Sequence, residues 1–101
     1  MNPELQMRTL FNVYYDQCTH ERIRYTASEF RNNHLQSWIV MNGIELCYMM
    51  YQDKYQHVFM CNRYCPKLGD DTYYFKTYEE CKKVLNMSEE EIIEYAYSLQ
   101  Q

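Results

Sequence analysis

From Ser37 to Met41 and from Ile44 to Tyr51 the chain carries apolar side chains on both parities of an extended strand, and Asn42-Gly43 stands between the two runs. Asn-Gly tolerates positive φ at two successive residues, as a type I′ turn demands, so the runs are predicted to pair as an antiparallel hairpin. A two-residue turn also sets the register. Met41 should face Ile44, Ile39 should face Leu46 and Ser37 should face Tyr48 on one side of the sheet. After a polar break at Gln52 to Tyr55, the run His57 to Cys61 supplies a third strand and completes a meander.

The flanks are read the same way. Thr9 to Tyr15 is rich in β-branched and aromatic types, and Arg22 to Tyr25 alternates, so the two are expected to form a hairpin across Asp16 to Glu21. Thr26-Ala27-Ser28-Glu29 has the spacing of a capping box and predicts a short helix from Ala27 to about His34. Pro66 and Gly69 mark Asn62 to Asp71 as a loop, and Thr72 to Lys76 alternates as a further strand. Thr77-Tyr78-Glu79-Glu80 and Ser88-Glu89-Glu90-Glu91 repeat the capping-box spacing ahead of apolar stripes at helical spacing, so two short helices should close the chain. The expected class is α+β: a mainly antiparallel sheet of about five strands, with helices enough to cover one face.

With 101 residues, one compact domain spanning 1–101 buries apolar surface better than two small ones. Only two glycines and two prolines argue against low-complexity tracts. The opening MNPELQMRTL has no apolar run of signal-peptide length, and no stretch nears the roughly 18 to 20 residues of a membrane span, so a cytoplasmic chain is expected. The five cysteines are an odd set, and Cys47 and Cys61 fall within apolar runs, which favours reduced, buried thiols over a disulfide framework.

Charge narrows the function classes. The net charge is −4, and residues 77–101 hold six glutamates against two lysines, so that segment accounts for the whole imbalance. An acidic chain lacks the broad cationic surface that a generic nucleic-acid binder needs. Arg22, Arg24 and Arg31 still form a small basic stripe near aromatic residues, a pattern that single-stranded nucleic acid accepts, and they define an alternative function as a nucleic-acid-contacting accessory.

The register points to another function. If the helices cover the side bearing Ile39, Leu46 and Phe59, the opposite side collects Trp38, Met49, Tyr51, Val58 and Met60 with a polar fringe. Trp, Tyr and Met are enriched at recognition surfaces, so this side is the expected contact surface for another protein, a second copy of the chain included. The first expectation is therefore a protein-binding module acting by occlusion and not by chemistry. Plentiful Tyr, Asn and Met beside scarce Ala and Gly, as AT-rich codons produce, would suit a phage or mobile-element accessory that inhibits a host defence enzyme.

Catalytic and metal motifs are weak. Cys61 and Cys65, with His57 and the pair Cys18/His20, are soft ligands, but they lack a Cys-x-x-Cys knuckle, so no metal or cofactor is expected. Cys18 and His20 have no third orienting residue for nucleophilic catalysis. Gly43 and Gly69, the only glycines, cannot build a phosphate loop. No enzyme is expected.

Overall fold

The computed structural model describes residues 2–30 and 39–99. Helix α1 spans Pro3–Tyr15, strand β1 Arg24–Tyr25, β2 Ile39–Met41, β3 Ile44–Tyr51, β4 Lys54–Cys65 and β5 Gly69–Phe75; helix α2 spans Tyr78–Leu85 and α3 Glu89–Ser98. The strands form one antiparallel sheet in the order β1-β5-β4-β3-β2. This is the expected α+β class.

The central register follows the turn chemistry. Asn42 and Gly43 have φ of 55° and 80°, and Met41 pairs with Ile44 and Ile39 with Leu46. Gln52 and Asp53 turn with φ of 50° and 62°, so β4 begins at Lys54, earlier than expected, while Leu46 still faces Phe59 and Tyr48 faces His57. The expected partner of Tyr48, Ser37, lies outside the described residues.

Three expected elements are corrected. Residues 9–15 are not a strand but the second half of α1: Asn2 caps the helix by accepting from the Glu4 N–H at 3.0 Å, and Pro3 sits at its start with φ already suited to a helix. A capped start outweighed the strand propensity of Leu10 to Tyr15. The helix from Ala27 stops after a single 3-10 turn, Ala27–Glu29, because Phe30 is extended (φ −101°, ψ 140°) and buries its ring against the sheet; the rest of its expected span lies outside the described residues. The loop at 62–71 is instead a tight hairpin. There β4 runs on to Cys65, the Leu68 N–H donates to the Cys65 carbonyl at 3.1 Å, and Gly69, at φ +82°, opens β5. Pro66 and Gly69 mark a short turn and not a long connection.

Two cores form on opposite sides of the sheet. On the helix face Ile44, Leu46, Phe59, Cys61 and Phe75 pack with Phe11 of α1, Cys81 and Val84 of α2 and Ile92 of α3. Arg63 fastens α2 there, donating to the carbonyls of Val84 and Leu85 at 2.9 and 3.0 Å and so satisfying two groups at the helix end. On the other side, the aromatic face, Cys47, Met49 and Val58 pack under Tyr25 and Phe30.

Candidate functional site

The aromatic face is closed at its centre, where the sequence expected it open. Tyr25 reaches it from β1 and Phe30 from the segment that follows, with ring centroids 5.1 Å apart; Tyr51 lies 4.8 Å from Tyr25, and Tyr74 lies 5.1 Å from Phe30. The Tyr25 hydroxyl donates to Gln56 at 2.9 Å and satisfies the polar end of this cover. Val58 is fully enclosed and Met49 is buried, so these two expected contact residues are core instead. Tyr51 and Met60 are half-buried, and Trp38 lies outside the described residues. Two aromatic rings from residues 25–30 supply the shielding over Met49 and Val58 that the helices do not.

Among the described residues the rim is open as well. β5 has seven residues, of which β1 pairs with only two, Tyr74 and Phe75, leaving five from Gly69 to Tyr73 without a strand on that side among the described residues. The Lys76 N–H donates outward to the Ile23 carbonyl at 3.0 Å. Main-chain groups in an antiparallel strand alternate in direction, so Tyr74, Thr72 and Asp70 also point outward. Tyr74 is taken by Tyr25, whereas the outward groups of Thr72 and Asp70 have no main-chain partner among the described residues.

A groove runs beside this rim. Arg24, on the helix side of β1, places its guanidinium 5.7 Å from the Tyr95 ring centre, a cation–π contact that also ties the short strand to α3. Arg24, Phe75 and Tyr95 form a common wall between two hollows. One, of about 340 Å³, is lined by Arg22, Glu79, Glu80 and Lys83; the other, of about 320 Å³, lies along the open part of β5 against Tyr73, Ala96 and Leu99. Burial raises the Tyr95 hydroxyl, an effect that the nearby Arg24 charge opposes. Of the basic stripe, Arg22 and Arg24 share the first hollow, and Arg31 lies outside the described residues.

The thiols are poorly placed for chemistry. All five cysteines are free and buried. Cys18 donates to the Tyr14 carbonyl at 3.5 Å, and burial pushes its thiol up to about 12, while His20 turns its ring to Tyr15 at 4.7 Å. Burial also raises Cys47, and in the hydrogen-bonded pair Cys61 and Cys81 the contact itself raises Cys81 and lowers Cys61. Among the described residues no three His, Cys, Asp or Glu side chains gather in a way that could hold a metal, and no helix is long and apolar enough to cross a membrane.

The rim could not be found from sequence because it depends on β1 being two residues long and on which strand β1 joins. The one local signal was the pair Asp70-Asp71, residues disfavoured in strands yet tolerated at an edge. Comparison of the chain with family models, with curated proteins and with solved structures finds no match.

Proposed function

We propose that this protein is a protein-binding module that acts by contact and not by chemistry, taking an extended segment of its partner along the open rim of β5. The supporting observation is the five-residue stretch of β5 with outward main-chain groups at Thr72 and Asp70, set beside a hollow of about 320 Å³. Strand addition uses such an edge directly: main-chain bonds supply affinity, and side pockets supply selectivity. Covering a partner's extended segment in this way is occlusion, the mode expected from the chain's lack of catalytic signatures.

Thr72→Pro tests the reading, because it removes an outward N–H that has no main-chain partner among the described residues, and proline is tolerated in an edge strand on the side facing solvent. The expected result is an unchanged circular-dichroism spectrum and melting temperature together with loss of a partner that the wild-type chain captures. Retention of that partner by Thr72→Pro, with loss on Trp38→Ala instead, would return the contact to the aromatic face and overturn the proposal.

A second reading, contact with single-stranded nucleic acid, has one observation in its favour: Arg22, Arg24 and Lys83 line one hollow together with Tyr95. Glu79 and Glu80 line the same hollow and oppose a polyanion. Salt-sensitive oligonucleotide binding that is lost on Arg22→Ala would favour it over strand addition.

A further inference from the structure

We infer that the segment taken by the β5 rim is basic: an extended stretch running antiparallel to β5 with the pattern apolar, any non-acidic residue, basic, basic. This inference rests on the strand-addition reading and adds the chemistry of the occupant. The open stretch of five residues spans about 17 Å at ~3.4 Å per residue, so it accepts a segment of five or six residues. Antiparallel pairing continues the direction in which β1 already meets β5.

Each position then follows from the side chain directly across from it. Opposite Tyr73 the side chain enters the hollow against Tyr95, Ala96 and Leu99, an apolar pocket in which Leu99 is still 43 % exposed. Opposite Thr72 it lies on the other side of the rim, where Ala27 and Glu29 both line the hollow, so only an acidic side chain is disfavoured. Opposite Asp71 and Asp70 it meets two carboxylates that have no ion-pair partner among the described residues; Arg63, across β4 from Asp71, is occupied by the carbonyls of Val84 and Leu85.

Charge also selects among occupants. A second copy adding edge to edge through β5 would bring Asp70 and Asp71 of each chain near those of the other, and like charges across a strand pair repel. An acidic segment fails for the same reason. The outer side of α1 does expose Leu5, Leu10 and Val13, but it carries no charge pattern that names a partner.

The test uses the full chain and two fluorescein-labelled peptides that fill the five open positions, Leu-Thr-Lys-Lys-Val and Leu-Thr-Glu-Glu-Val, read by fluorescence anisotropy. The lysine probe should bind at least tenfold more tightly than the glutamate probe, weaken several-fold between 50 and 500 mM salt, and be lost on Thr72→Pro. Asp70→Lys, a substitution that an exposed strand edge tolerates, should abolish the preference between the probes, because one lysine and one aspartate then face the two charged positions. Equal binding of both probes that Thr72→Pro abolishes would overturn the basic pattern while leaving strand addition standing. Binding of the lysine probe that survives Thr72→Pro would overturn both. Absence of binding by the lysine probe, or a dimer seen by sedimentation that Thr72→Pro dissociates, would overturn the inference in favour of another occupant.

Discussion

The two faces of this sheet are shielded by different means. On the helix face three helices bring Phe11, Cys81, Val84 and Ile92 onto Leu46, Phe59 and Phe75, and two of those helices follow directly from β5 in the chain. On the aromatic face the cover includes Tyr25 and Phe30, which arrive because the chain turns over the edge of the sheet just after a two-residue strand. Helices can shield a face while leaving the sheet edges free. A segment that crosses an edge to shield a face must stop pairing there, and the open part of β5 begins where this chain departs. The surplus apolar surface of the middle strands is therefore largely resolved inside the protein, and the unsatisfied surface moves from face to rim.

Paired truncations test whether both faces are core. Phe59→Ala should cost about 3 to 5 kcal/mol, the transfer term plus a cavity, because Phe59 is fully enclosed. Phe30→Ala should cost about 2 to 3 kcal/mol, mostly the burial term, since Phe30 lies on top of its face at 8 % exposure and neighbours can relax into the space. Urea unfolding measures both. If Phe30→Ala cost under about 0.5 kcal/mol, as an ordinary surface substitution does, the aromatic cover would contribute nothing and the face would again be open to a partner.

The helix face also depends on the cap of α3. The Ser88 hydroxyl accepts from the Glu91 N–H at 3.2 Å while the Glu91 carboxylate accepts from the Ser88 N–H at 3.2 Å, and these bonds hold the Glu91 carboxyl below its usual range. Ser88→Ala should cost about 1 kcal/mol and speed amide exchange in α3, while the methyl resonances of Met49 and Val58 stay in place. A shift of those methyl signals would mean that the two cores are not separable.

The same contrast explains what could be read from the sequence. The meander register was legible because Asn42-Gly43 encodes it locally, and α2 and α3 were legible from Thr77 and Ser88 with their glutamates. The signal for α1 is present in Asn2-Pro3-Glu4, but the strand propensity of Leu10 to Tyr15 masks it. The fate of Phe30 was not legible, because no local pattern says that a chain leaving a capping box will cross a sheet edge. The rim was hidden for the same reason: its openness is set by which distant strand the residues Arg24 and Tyr25 choose to join.

The smallest effect separates the faces by sign. His57 lies on the helix side of β4, 5.8 Å from the Tyr14 ring and 4.8 Å from the Tyr48 ring, and burial lowers its imidazole from 6.5. The unfolded chain then takes this proton more readily than the folded one, so stability falls as pH drops below about 6.5 and stops changing below the folded value. Glu45 lies on the aromatic side opposite Met60, and burial raises its carboxyl above 4.5. Here the folded chain takes the proton more readily, so stability rises as pH falls through the raised value towards 4.5. Urea midpoints should therefore dip between pH 7 and the folded His57 value, by less than the Ser88 effect, and His57→Gln should flatten that dip. Glu45→Gln should leave the dip in place and remove the opposing gain at lower pH. A single slope unaffected by either substitution would show that neither burial is felt, and that the two sides of the sheet are closer in character than their packing indicates.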